Sequence, residues 1–404
     1  MTSSTPSTRP GDGPLLPSSP EPARCRRKAV LPAFLLFLLP GLFGGLLPGT
    51  GLTAQEIPPP ALAPAPGSWA GEVGAARDLI LERMEEQGVP GLSVAVGVKG
   101  EMVWAEGFGF ADLENRVPVW PATKFRVASI SKALTAAAVG KLVEEGRLDL
   151  DVPVQEYVPE FPEKRWPVTT RHLAGHTAGV RHYRGREFAS RTHYDDVVEA
   201  LEIFAADTLL FEPGTDYSYS TYGWNLVSAV VQRAAGEPFL DYMRREVFAP
   251  LDMDETVAEH VDSLIYHRAR QYLHTEDDRI VNAPYVDLSN KWSGGGFLST
   301  AEDLVRYGFG YLEGGFLAPE TVETLWTSQR TADGELTNYG IGWRVAEEDG
   351  RRVVSHTGGA VGGTTILLLY PEEEVVVAIL TNVQGAGQTE TSRAVADLFA
   401  GGVG

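Results

Sequence analysis

The spacing of apolar residues changes several times along the chain, and the changes mark out its elements. In "AARDLILERMEEQ" (Ala75–Gln87), Leu79, Ile80 and Met84 recur at helical spacing among charged residues, which predicts an amphipathic helix. "GLSVAVGVKGEMVWAEGFGF" is rich in Val and aromatic residues and predicts two strands joined by a tight turn at Lys99-Gly100. From Ser129 to about Tyr285 the pattern is helical and loop-rich. Strand character returns in "TTILLLYPEEEVVVAILTN", a predicted hairpin of two β-branched, apolar strands around Pro371–Glu373, and Thr389–Leu398 predicts a final helix. Strands at both ends with helices between them predict one interdependent α/β unit. Its antiparallel sheet is drawn from the two chain ends and flanked by helices, with the helical middle as an insertion. No internal repeat is present.

Ahead of this body, Arg24, Arg26, Arg27 and Lys28 precede the apolar run Ala29–Leu47, and small residues end at Ala54. A basic end, an apolar middle and small residues before a cut predict a secretory signal over residues 1–54. It is expected either to be cleaved after Ala54 or to stay as a membrane anchor through residues 29–47. The protein is therefore expected to be exported, periplasmic or extracellular. Residues 55–68, with "IPPPALAPAPG", predict a semi-rigid Pro/Ala linker, and the folded body is expected over 69–404.

Charge and cysteine content narrow the chemistry. The 404 residues carry 34 Lys+Arg against 54 Asp+Glu, a net charge of −20. So acidic a chain repels phosphate backbones and anionic lipid, which excludes nucleic acid as a partner and leaves the N-terminal segment as the route to a membrane. The single cysteine, Cys25, lies in the leader, so the body has no thiolate nucleophile, disulfide or Cys-zinc site.

The candidate chemistry sits in "FRVASISKALTAAAVGKLVEEGRLDLD" (Phe125–Asp151). Ser129 and Lys132 are three apart at the start of an apolar helix, and so share one face within hydrogen-bond reach. Only Lys132 among the seven lysines has a serine three residues before it. At the helix start the Ser129 hydroxyl would meet the positive end of the helix dipole. Lys132 can accept its proton only if neutral, which burial among Ile130, Ala133 and Leu134 favours. Alternatively the lysine stays charged and stabilises an anionic tyrosine that acts as the base. Taken alone, the pair is equally a serine cap and a snorkelling surface lysine.

Two further stretches decide between these. "PGTDYSYSTYGWNL" places Tyr219-Ser220-Thr221 before an apolar helix, and "HTGGAVGGTT" places His356-Thr357-Gly358-Gly359 on a glycine-rich strand. With "GFGFADLENRVPV", "RHLAGHTAGVRHY", "IVNAPYVD" and "KWSGGGFLSTAEDL", they resemble the serine β-lactamase-like family of class C β-lactamases, DD-peptidases and related esterases, over about Gly91–Leu380. The resemblance implies a β-lactamase/transpeptidase-like fold, no cofactor and no metal. It makes Ser129 the nucleophile, Lys132 its activator and Tyr219 the proton carrier to the leaving group. His356 would line the far wall, binding a substrate carboxylate or polarising Tyr219, and the backbone N–H groups of Ser129 and Gly359 would form the oxyanion hole. Thr357, Gly358 and Thr221 would complete the substrate-binding edge.

The chain departs from the family at Thr221, where asparagine is usual, and at His356, where the lactamases use lysine. Both departures fit the mitochondrial-type branch. A histidine gives a weaker carboxylate grip than a fixed cation at neutral pH, so a small-molecule or peptide substrate with an amide or ester bond is expected. A true class C-type β-lactamase, and a catalytically weak binding or filament-like assembly module, are the alternatives, and the family admits a homo-oligomer. Elsewhere, His172, His176 and His182 lack an acidic companion and are read as capping and loop contacts. The loop arginines Arg181, Arg184 and Arg186 are read as solvated. "SGGGFLST" lacks the Lys-Ser/Thr of a phosphate loop and is read as a turn near the site floor.

Overall fold

The computed structural model describes residues 67–401. The expected leader and all but the last two residues of the linker lie outside the described residues. Gly67 and Ser68 already belong to a turn of 3₁₀-helix ending at Trp69.

The central sheet has seven strands, which we number in chain order: β1 (Gly91–Val98), β2 (Glu101–Asp112), β3 (Val117–Pro118), β4 (Arg344–Glu348), β5 (Arg351–Ala360), β6 (Gly363–Tyr370) and β7 (Val375–Thr381). They pair antiparallel in the order β3-β2-β1-β7-β6-β5-β4, so the two ends of the chain join where β1 meets β7, with Val94 opposite Ile379 and Val96 opposite Val377. Both faces of the sheet are covered, and β7 shows how. Val375, Val377 and Ile379 enter one apolar core with Val73, Ile80, Val395 and Phe399, while Val376, Ala378 and Leu380 enter the other. A strand buried on both faces is apolar at every position, which is why "VVVAIL" shows no polar alternation.

The first core is closed by α1 (Ala70–Glu86) and the C-terminal helix Thr389–Gly401. α1 starts five residues before the predicted Ala75, because Val73 is also buried. The second, larger core contains α2 (Ile130–Glu144), α3 (Thr221–Ala235) and α4 (Ala301–Leu312). Helix α2 is buried from Ile130 to Gly140 on all sides. A helix apolar all round belongs in an interior, so Lys132 is carried inside the protein. Ser220 caps α3 by accepting from Gly223 N at 3.0 Å, and Gly236, at φ 68°, ends it. A three-stranded ribbon of Phe125–Arg126, Phe297–Ser299 and Val257–Ala258 runs from the sheet to the N-terminus of α2.

Candidate active site

The chain reaches Ser129 through a constrained turn. Ala128 has φ 50°, the left-handed region that costs a non-glycine residue of order 1–3 kcal/mol, and Ser129 returns to helical geometry as the cap of α2. Surrounding contacts hold this turn. Arg126, buried, donates to both oxygens of buried Glu259 at 2.6 and 2.9 Å and to the Val361 carbonyl at 2.6 Å, tying the turn to the loop after β5. Thr365 Oγ1 donates to Val127 O at 3.0 Å. Gly358 lies against the same spot, where a Cβ would be 2.2 Å from Thr365 Oγ1 and 2.4 Å from Val127 O.

Lys132 is fully buried. Its Nζ lies 3.1 Å from Ser129 Oγ, 3.2 Å from Thr221 Oγ1 and 2.7 Å from Gly294 O, and 4.9 Å from the centre of the Tyr219 ring. No carboxylate among the described residues is in ion-pair contact with it. Burial, and then the charge of Lys291, drive its ionisation well below the usual lysine range. A neutral amine has two hydrogens and one lone pair. Gly294 O and Thr221 Oγ1 take the hydrogens, and the lone pair is left for the Ser129 hydroxyl proton.

Tyr219 is positioned by two histidines. His176 Nδ1 accepts from Ser220 N and His182 Nδ1 accepts from Thr221 N, each at 3.1 Å, and His176 O accepts from Ser218 N at 2.9 Å. The backbone on both sides of Tyr219 is thereby fixed, and the His176 ring lies 4.2 Å from the Tyr219 ring. An Nδ1 that accepts must be unprotonated, and burial followed by the nearby Lys132 keeps both rings neutral, His182 down at about 4 and His176 well below its usual value. Burial raises the Tyr219 phenol, with the Ser129 hydroxyl pulling the other way. From the sequence these histidines are expected to make only capping and loop contacts. The signal that singles them out is tertiary, since the backbone they hold lies about forty residues further on.

His356 behaves differently from the expectation for it. Its Nε2 meets Tyr339 Oη at 2.8 Å and its Nδ1 meets Thr357 O at 2.7 Å, and the ring is 1% exposed. Both nitrogens are occupied inside the protein, and burial holds the ring neutral, down at about 3. It offers no cation to a substrate carboxylate. Arg181 is also unlike its expected solvated state. It is buried, donating to Glu187 Oε2 at 2.6 Å and pairing with Asp207. Arg184 and Arg186 are exposed.

Ser129, Tyr219, Thr221 and Gly359 open on one cavity of 170 Å³, walled by Tyr183, Phe188 and Leu288. Thr357 and His356 do not line it, and Gly358 stands behind it as packing. "SGGGFLST" forms the floor: Gly294 holds Lys132, and Gly294 and Gly295 line the cavity. Lys291, which carries no local signal in the sequence, lines it too. A larger cavity of 650 Å³ beside Phe248 and Tyr266 contains none of these groups. No cluster of metal-ligating side chains occurs among the described residues.

The beta-lactamase family model matches residues 76–401. The chain belongs to the beta-lactamase family. Among curated relatives, the mitochondrial serine beta-lactamase-like protein LACTB of Homo sapiens is 38% identical over 395 residues, 74% of this chain and 72% of that protein. Penicillin-binding protein 4* of Bacillus subtilis is 29% identical over 64% of this chain and 61% of its own. Among solved structures, the octameric penicillin-binding protein homologue from Pyrococcus abyssi superimposes with a TM-score of 0.71 at 27% identity, covering 81% of this chain and 77% of that one. This beta-lactamase-family chain therefore has the β-lactamase/transpeptidase-like fold and is a serine hydrolase. The expectation of export does not stand. LACTB of Homo sapiens, Bos taurus and Mus musculus, matched over nearly three-quarters of this chain, is mitochondrial. A basic, apolar N-terminus does not by itself distinguish one membrane-directed address from another. No described helix is long and apolar enough to cross a membrane.

Proposed function

We propose that the protein hydrolyses amide, peptide or ester bonds through an acyl-enzyme on Ser129. The observation that carries this is the buried Lys132 amine, 3.1 Å from Ser129 Oγ with no acidic partner among the described residues. The amine takes the hydroxyl proton as Oγ attacks the carbonyl. The backbone N–H groups of Ser129 and Gly359 stabilise the oxyanion, a contribution of about 2.7–4 kcal/mol per donor. The leaving alcohol or amine receives its proton from Tyr219, which is reprotonated through Lys132. Water then attacks the ester, and Oγ regains its proton. With His356 turned inward, nothing at that position grips the carboxylate of a β-lactam, which favours amides and esters over antibiotics. Assembly into a homo-oligomer belongs to the same proposal, supported by the octamer of the Pyrococcus abyssi relative. Light scattering on the purified chain tests it, and a monomeric mass refutes it.

The test of the chemistry is a fluorophosphonate probe followed by a panel of peptides, short-chain esters and nitrocefin. The protein should gain one adduct on Ser129, Ser129→Ala none, and esters or amides should be turned over faster than nitrocefin. A folded protein that takes no adduct would point instead to a binding module.

A further inference from the structure

One charged side chain in the cavity exchanges no proton in the chemistry above and acts there only through its charge on Lys132. Lys291 is 4% exposed and follows Asn290 into the short helix Trp292–Gly295 beneath Ser129. Its Nζ donates to the Phe188 carbonyl at 2.8 Å and lies 4.9 and 5.2 Å from the centres of the Tyr183 and Phe188 rings. No carboxylate among the described residues pairs with it. The acid nearest in sequence, Asp287, is itself engaged by His193 Nδ1 at 2.9 Å and Ser289 N at 2.9 Å. An ammonium has three hydrogens, and one carbonyl accounts for one of them. Burying a lysine without a counter-ion costs several kcal/mol, and an uncharged side chain of the same length would fill the space without that cost.

We propose that Lys291 is the anchor for a carboxylate on the acyl part of the substrate, making this an enzyme for short acyl groups that end in a negative charge. Resting on the hydrolase reading, the assignment follows from where the amine sits. It shares a cavity of 170 Å³ with Ser129 and Gly359, below the usual range for drug-sized ligands, so a short chain spans it. A leaving group must depart towards solvent, whereas a group held at the buried Lys291 amine is the part that stays on Ser129. The rings of Tyr183 and Phe188 exclude water from the ion pair and strengthen it. His356, which the family resemblance made a candidate carboxylate contact, has both nitrogens bonded internally, and His182, which also lines the cavity, is held neutral, so Lys291 is the lining side chain that can offer a positive charge. Burial and the neighbouring Arg126 hold its amine down at about 7, and a bound carboxylate would favour the charged form.

The experiment compares two fluorophosphonates of equal length on the full chain, one with its alkyl tail ending in a carboxylate and the other in a primary amide, following the rate of the Ser129 adduct by intact mass. The protein should react with the carboxylate probe about tenfold faster or more, and in Lys291→Met that ratio should fall to about one, whatever the change common to both probes that follows from the altered basicity of Lys132. A ratio near one in the unaltered protein, or one unchanged in Lys291→Met, overturns the proposal. In a second measurement that needs no variant, succinate should protect Ser129 from the amide probe at concentrations where succinamide does not. Equal protection overturns it. No adduct from either probe removes the hydrolase reading first and this subsite with it, whereas adducts without charge preference remove the subsite alone.

Discussion

Replacing Lys291 by methionine should stabilise the protein at pH 7 and should do so less as the pH rises. An ordinary lysine amine ionises near 10.5, and burial holds this one down at about 7. At pH 7 the unfolded chain binds a full proton there and the folded chain about half of one. Stability therefore rises with pH between 7 and 10.5. Taken at about 1.36 kcal/mol per pH unit across that gap, the charged side chain costs the native state roughly 4 kcal/mol at pH 7, and the cost vanishes towards pH 10.5. Methionine matches the four-atom stem of the lysine and fills most of the same space. It forfeits the bond to Phe188 O and the contacts with the two rings, worth about 1–2 kcal/mol together. The net gain is about 2 kcal/mol at pH 7, falling through zero near pH 9. Urea unfolding of both proteins at pH 7, 8, 9 and 9.5 measures it, and the difference between the two cancels the titrations they share. A difference that stays constant across this range, or a variant less stable by more than 1 kcal/mol at pH 7, would refute the reasoning. A gain here alongside lost charge preference is what a residue kept for binding rather than for folding should show.

Four further outcomes are expected. Lys132→Arg substitutes a group that stays protonated and has no lone pair, so ester turnover should fall by roughly 10³ with the fold intact by circular dichroism; a rate above a tenth of the original would remove Lys132 as the proton acceptor. Gly358→Ala must displace both the Thr365 hydroxyl and the Val127 carbonyl behind Ser129, and labelling of Ser129 should slow by about tenfold to a hundredfold; an unchanged rate would show that β5 does not hold the turn. Arg126→Met leaves Glu259 charged and buried and should cost about 3–5 kcal/mol in urea, most of it regained in the double variant with Glu259→Leu; additive losses would contradict the pairing. Because His182 and His356 are held down at about 4 and 3, neither titrates between pH 5 and 8. Any fall in kcat/KM as the pH drops through that window then belongs to a lysine gaining its proton, and His182→Asn should leave the midpoint within about half a unit; a shift beyond one unit would assign the limb to His182.

What could be read from the residues alone depended on how local each interaction is. Ser129 and Lys132 lie on one turn of one helix, so the i, i+3 spacing brings them together whatever the tertiary fold does. The β6–β7 hairpin carries its own signal in β-branched residues and a polar turn. Lys291 has no such local mark. Its neighbours Asn290 and Trp292 suggest a loop, and its burial depends on Phe188 and Tyr183, about a hundred residues earlier. His176 and His182 are legible only through the backbone of Ser220 and Thr221. The same holds for His356: a side chain on a strand can face the cavity or the core, and the choice is made by Tyr339, whose hydroxyl meets the ring from another segment. Arg181, amid the exposed arginines of its loop, is internal because Glu187 and Asp207 close on it.

The two lysines of the cavity are also linked through charge. The charge on Lys291 is the second cause, after burial, of the low ionisation of Lys132. In the empty site each cation makes the other easier to deprotonate, so a proton is shed and Lys132 is ready as an acceptor. A carboxylate bound at Lys291 would cancel that repulsion and return some basicity to Lys132, the wrong direction for keeping the amine neutral. Two features oppose it. Burial, the larger cause, remains and deepens as the substrate displaces water from the cavity. The hydrogens of the neutral amine also stay engaged by Gly294 O and Thr221 Oγ1, leaving the lone pair towards Ser129. A stronger base that is still unprotonated accepts the serine proton more readily, so the substrate charge held at one lysine helps the other take the proton when the acyl group is in place.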